Sequence, residues 1–120
     1  MKYLIFFSLI LQVSSMTYYE AIMQVENWQG VDGAHQDRGP LQITPSFYSD
    51  AQEQLLKEQK YCPRYADLNN INASITIAEA YYRRYNLRSP YNRARAHNNG
   101  FAYRGKSDYA NRILNLMRSK

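Results

Sequence analysis

Three carboxylates lie close together early in the chain: Glu26, Asp32 and Asp37. Two carboxyl groups can cleave a glycosidic bond. One protonates the leaving oxygen, and the other attacks or stabilises the sugar cation. The acid must keep its proton near neutral pH, and burial among apolar groups raises a carboxyl pKa toward that range. Glu26 follows Ile22 and Val25 and precedes Trp28, which gives it apolar neighbours at the end of a helix-like run. A helix C-terminus also disfavours negative charge. Asp32 and Asp37 follow in a stretch with three glycines that can turn back toward Glu26. The same residues also fit a solvated helix end followed by Asx turns, and spacing alone does not choose between the two.

The other reactive side chains offer less. Glu20 stands three residues after Thr17, the spacing of a capping box rather than of an acid catalyst. His35 has no partner in view. With two histidines and one cysteine, no metal site of ordinary ligand spacing is expected, and no cofactor. Cys62 cannot form an internal disulfide and reads as a buried or free thiol, with an intermolecular bridge as the alternative.

The elements that must hold these residues follow from caps and periodicity. Thr17 starts a helix near Tyr18 that carries Ala21, Ile22, Val25 and Trp28 and ends before Gly30. Gly30 to Gly39 reads as a loop or small β-hairpin, and Leu41-Gln42-Ile43 as a short strand. Thr44-Pro45 opens a second helix running to about Lys57. Asn72 is the expected cap of a third, with Ile75, Ala78, Tyr81, Tyr82 and Tyr85 on related faces. Ser89-Pro90 starts a shorter helix to His97, followed by a turn at Asn98-Asn99-Gly100. Ser107 caps a last helix bearing Tyr109, Ile113, Leu114 and Met117. The expected fold is one compact, mostly helical domain with a small β element between the first two helices. Asn72-Ala73-Ser74 is also a glycosylation sequon, overlapping the expected cap.

Residues 1–15 combine a basic start, an apolar run from Tyr3 to Leu11, and small or medium residues through Ser15. That is the pattern of a secretory signal cleaved after Ser15, leaving a domain over residues 16–120. The run is short for a bilayer span, so no stable membrane insertion is expected. The full chain of 120 residues carries a net charge of +5. A secreted basic protein suits polyanions such as peptidoglycan with its peptide carboxylates. The arginines are dispersed rather than packed into one tract, so nucleic acid is not the expected partner. The 12 tyrosines suit core edges and sugar-binding clefts alike.

Four segments recur in a telling order: Val25-Glu26-Asn27-Trp28, Gly39-Pro40-Leu41-Gln42-Ile43, Phe47-Tyr48-Ser49-Asp50 and Ala94-Arg95-Ala96-His97-Asn98-Asn99-Gly100. They resemble, in sequence and order, the Val-Glu-Ser-Gly, Gly-Pro-Phe-Gln-Ile, Tyr-Trp-x-Asp and Ala-Arg-Ile-His-Asn-Gly-Gly elements of the invertebrate-type (destabilase-like) lysozymes. Ala80 to Tyr85 is similar to a helix segment of that family. Lytic transglycosylases share a Glu, a Gly-Leu-Met-Gln-type strand and an Asn-x-Gly turn. The chain departs from the family in its shorter Glu26–Asp32 interval, in Asn27-Trp28 after the acid, and in lacking disulfides.

The resemblance implies an α+β, mostly α, lysozyme-like fold with a small β-hairpin between the first helices. It makes Glu26 the proton donor and Asp32, seven positions before Gly39, the second catalytic carboxylate. Asp37 takes the place of a substrate-binding serine. Gly39, Pro40, Leu41, Gln42 and Ile43 would line the sugar cleft, with Tyr81, His97, Asn98 and Asn99 contacting N-acetyl and hydroxyl groups. The implied activity is that of a secreted, monomeric muramidase, hydrolysing the β-1,4 bond between N-acetylmuramic acid and N-acetylglucosamine with retention. Two alternatives stay open: a lytic transglycosylase using one Glu, and a wall-glycan binder that does not cut.

Overall fold

A computed structural model describes residues 16–30 and 36–118. The expected signal segment 1–15, and Asp32 and His35 of the Gly-rich stretch, lie outside the described residues. Among the described residues five helices follow one another: α1 (Tyr18–Glu26), α2 (Pro45–Lys57), α3 (Ile71–Arg84), α4 (Pro90–Asn99) and α5 (Asp108–Arg118). A 3-10 turn (Tyr65–Asp67) precedes α3.

Polar caps start the helices by occupying amide groups that the first turn leaves unpaired. The Thr17 and Glu20 side chains form the reciprocal capping box of α1. Thr44 accepts from the Phe47 amide at 3.1 Å, Ser89 from Asn92 at 3.1 Å, and Ser107 from Ala110 at 3.0 Å. Pro45 and Pro90 fill first-turn positions, where a missing N–H costs nothing. Three boundaries differ from the sequence reading. Helix α1 ends at Glu26, so Trp28 lies beyond it rather than on it. The cap of α3 is Asn70, whose Oδ1 accepts from the Ala73 amide at 3.1 Å, while Asn72 already lies in the first turn. Helix α4 continues through Asn98 and Asn99, and the turn begins at Gly100, with φ at 91°.

The β-hairpin expected between the first two helices is not found. Among the described residues the fold is all-helical rather than α+β, and Leu41-Gln42-Ile43 is not a strand. One isolated antiparallel bridge joins Arg38 to Ile43 around the turn Gly39 to Gln42. The local chemistry stops it from growing. Pro40 has no N–H to donate, and Gly39 and Gln42 take left-handed φ values of 76° and 50°. Thr44 then caps α2 immediately, which leaves no room for a ladder. Gly39 is required for a second reason: a Cβ there would meet the Leu68 carbonyl oxygen at 1.9 Å.

Helix α2 packs on α3, α4 on α5, and α1 on α5. The core between them holds Ile22, Leu41, Ile43, Leu55, Leu68, Ile77, Tyr82 and Ile113, all at most 1% exposed. Ala78, Ala80, Ala94, Ala96 and Ala110 are buried too and let the backbones approach closely. Packing α1 on α5 brings the end of the first helix beside the first turn of the last.

Candidate active site

Glu26 is the last residue of α1, where Asn27 leaves the helix in the left-handed conformation (φ 49°). The tip of α1 packs against α5, so the Glu26 side chain is half-buried. The Tyr109 hydroxyl, from the first turn of α5, donates to Glu26 Oε2 at 2.6 Å. Burial pushes the Glu26 carboxyl above the usual range, and the negative charge of Asp37 pushes the same way. The Tyr109 hydrogen bond and the more distant Arg112 guanidinium oppose the rise without reversing it. The result is a carboxyl that retains its proton to higher pH than an exposed one, as proton donation requires.

Asp37 is half-buried, and its Oδ1 is shielded from solvent with no hydrogen-bond partner among the described residues. The Tyr65 hydroxyl sits against the carbonyl oxygens of Gln36 and Ile43, which fixes the backbone on either side of the Arg38–Ile43 bridge. Asp37 is thereby held within electrostatic reach of Glu26. The Trp28 Nε1 is also buried without a partner among the described residues. Buried polar atoms without partners are rare and mark places where something else binds or strain is held.

His97 stands at the end of a half-buried chain of hydrogen bonds. Its Nε2 faces the Leu41 carbonyl oxygen at 2.7 Å and its Nδ1 faces the Tyr82 hydroxyl at 3.1 Å. That hydroxyl in turn meets the Tyr18 hydroxyl at 2.8 Å. A carbonyl only accepts, so Nε2 carries the proton and Nδ1 accepts from Tyr82. Burial lowers the pKa of the imidazole, against the weaker opposing effect of the Leu41 carbonyl, so the ring is held neutral. With both nitrogens engaged, His97 ties α4 to the Gly39–Gln42 turn.

The residues from the sequence reading divide into three groups. Tyr81, His97, Asn98 and Asn99 line one cleft of about 420 Å³, together with Asp50 and Phe101. Within it, Asn98 and Asn99 are exposed. Tyr81 is buried, stacks on Phe47 at 3.8 Å, and has a hydroxyl pKa pushed up to about 12 by that burial. Gly39, Pro40, Leu41 and Ile43 are buried, with Leu41 and Ile43 in the core, and the Gln42 amide bonds to the Gly39 carbonyl at 2.9 Å. This turn therefore supports the cleft from behind. Glu26 and Asp37 form the third group. Glu26 does not line the cleft, but the Tyr109 ring lies parallel to the His97 ring at 6.5 Å and connects the two.

A larger groove of about 630 Å³ lies elsewhere, beside the start of α3, among Tyr61, Asn69, Asn72 and Thr76. Its one acid, Asp67, is held low by the Arg64 guanidinium that bonds to it, and it has no second carboxyl. No group of three or more His, Cys, Asp or Glu side chains converges as a metal site among the described residues. No helix among them is long and apolar enough to cross a membrane.

Tyr109 and Phe101 escape the sequence reading. Tyr109 reads there only as part of an apolar helix face, and 83 positions separate it from the carboxyl it holds. Phe101 follows a turn signal and belongs to no periodic pattern. No family model, curated protein or solved structure matches the chain.

Proposed function

We propose that the protein is a secreted muramidase of lysozyme type, cleaving the β-1,4 bond between N-acetylmuramic acid and N-acetylglucosamine in bacterial peptidoglycan. The observation that carries the reading is the Glu26 carboxyl. It is half-buried at the end of α1, its pKa is raised, one oxygen is held by Tyr109, and a second acid lies within electrostatic reach. The cleft lined by His97, Asn98 and Asn99 one ring away supports it.

The Tyr109 hydroxyl donates into Oε2, so the proton of the neutral acid sits on Oε1. From there it passes to the glycosidic oxygen as the bond breaks. The cation left on the sugar needs a carboxylate. The resemblance assigns that role to Asp32, and the described geometry puts forward Asp37, whose charge already reaches Glu26. Water activated by the now ionised Glu26 completes hydrolysis. The net charge of +5 favours approach to an anionic wall.

Turbidity loss of bacterial cell walls, with mass spectrometry of the released fragments, tests this. Glu26→Gln is expected to lower lysis by at least about a hundredfold, within the range that general acid catalysis supplies. Lysis that survives this substitution overturns the reading. Fragments ending in 1,6-anhydro-muramic acid replace it with a transglycosylase that uses Glu26 alone. Wall binding with no released fragments replaces it with a binding protein.

A further inference from the structure

The cleft contains an aromatic surface that the catalytic reading does not use. Gly100 ends α4 with φ at 91° and turns the chain so that Phe101 lies across Tyr85. The two rings are stacked at 3.9 Å and 4°. Tyr85 is itself braced. Its hydroxyl donates to Asp50 Oδ2 at 2.8 Å and accepts from Arg84 Nε at 3.3 Å, and the Tyr81 ring meets its ring at 5.0 Å. The Phe101 carbonyl accepts from the Arg104 guanidinium at 2.5 Å, and its amide lies close enough to the Tyr81 hydroxyl to oppose the rise in that group's pKa. Phe101 is thus backed on one face and anchored through its backbone, yet remains 42% exposed. An exposed phenyl ring held this rigidly is organised to receive something on its open side.

The groups around it define what fits. Asp50, Asn98, Asn99 and Ser46 share the cleft with Phe101. The second Asp50 oxygen carries no hydrogen bond among the described residues, and both Asn side chains are exposed. A purely apolar ligand would strip water from these polar groups without replacing its hydrogen bonds, which costs affinity. A strongly anionic ligand would face the Asp50 carboxylate. A pyranose meets both demands. Its axial C–H bonds form an apolar face for the ring, and its hydroxyl and acetamido groups lie around the edge for the carboxylate and amides.

The geometry points to Phe101 as the stacking platform of a saccharide subsite, with Asp50 and Asn98 binding the edge of an N-acetylhexosamine ring. The choice of sugar rests on the proposed muramidase activity, while the platform itself rests on the stacked rings and the polar cleft. It makes Phe101 a binding residue that sets substrate position, distinct from the acid at Glu26.

The test measures binding of the N-acetylglucosamine tetramer and of uncross-linked peptidoglycan strands to full-length Glu26→Gln protein, alone and combined with Phe101→Ala or Phe101→Trp. Calorimetry gives affinity, and saturation-transfer NMR reports which sugar protons touch the protein. Phe101→Ala is expected to weaken binding about tenfold, with a fall of about 5 °C in melting temperature from the lost stacking on Tyr85 that leaves the protein folded at the binding temperature, and Phe101→Trp to keep or improve binding. Saturation should concentrate on one face of a sugar ring and vanish in Phe101→Ala. Equal binding by Phe101→Ala, or no binding of either glycan by the parent protein, overturns the platform. Phe101-dependent binding in a protein whose wall lysis is indifferent to Glu26 keeps the platform and removes the muramidase. Glu26-dependent lysis with Phe101-independent binding does the reverse.

Discussion

Glu26 carries opposing demands that can be measured separately. Its folded-state pKa is raised, chiefly by burial, so the folded protein binds that proton more tightly than the unfolded chain. The stability this provides is complete at low pH and is lost as pH rises through the folded pKa. At neutral pH the protein therefore holds a carboxyl it would be more stable without. Glu26→Gln is expected to raise the melting temperature at pH 7 by about 2–5 °C and to give little gain at pH 4, measured by calorimetry. Tyr109 works against the burial. Removing its hydroxyl with Tyr109→Phe takes away a contact that lowers the Glu26 pKa, so the acid stays protonated to higher pH. The alkaline limb of the lysis profile should move up by about one unit, since such a bond is worth ~1.5 kcal/mol. Asp37→Asn removes a neighbouring negative charge and should move the same limb down. If Asp37 is also the carboxylate that meets the sugar cation, the rate falls at every pH, a change that a pKa shift alone cannot produce. A Tyr109→Phe limb that stays in place would show that the hydroxyl does not govern the acid.

At the scale of elements, caps decided what could be read in advance. Thr17, Thr44, Ser89 and Ser107 start their helices as the sequence implies, because a short polar side chain before a periodic apolar run has one efficient use. Asn70 and Asn72 both offer that chemistry, and sequence does not separate them. Packing does, since Ser74 is buried with its hydroxyl on the Leu68 carbonyl at 2.6 Å, which sets where α3 begins. Asn70→Ala should cost about 1 kcal/mol in thermal unfolding, and Asn72→Ala less than about 0.5 kcal/mol. The Gly39–Ile43 stretch was misread for a different reason. Alternation of Leu41, Gln42 and Ile43 mimics a strand, but both apolar side chains enter the core from a turn. The glycine signal was legible and its cause was not, because the Leu68 carbonyl that excludes a Cβ comes from a distant segment. Gly39→Ala should destabilise the fold by ~2 kcal/mol or more, from the clash together with the positive φ. The candidate site was legible to the same degree. Glu26 and the His97–Asn99 segment could be found from local pattern, whereas Tyr109 and Phe101 join them only through the packing of α1 on α5 and the stacking over Tyr85.

Across the whole molecule the charge is divided unevenly. Residues 1–85 contain seven Lys or Arg and nine acids, a net of −2, while residues 86–120 contain eight Lys or Arg and one acid, a net of +7. The ion pairs found among the described residues deepen the division. Arg64–Asp67, Arg83–Glu58, Arg84–Glu53 and Lys60–Glu58 all join residues before position 85. None of these ion pairs includes a cation of α4, α5 or their linker, so that end of the molecule keeps its net positive charge. A net positive field of this kind raises the encounter rate with a polyanion and contributes little once salt shortens its reach to a Debye length of ~10 Å or less. Arg88, Lys106 and Arg118 are exposed, and none belongs to the proposed acid or to the sugar platform. Reversing all three to Glu should slow lysis of anionic cell walls about tenfold at low ionic strength. The loss should shrink toward none in ~0.5 M salt, and cleavage of a short uncharged N-acetylhexosamine oligomer should stay within about twofold of the parent. A loss that persists in salt, or that extends equally to the uncharged oligomer, would mean that these residues shape the candidate site itself rather than guide the protein to a polyanion.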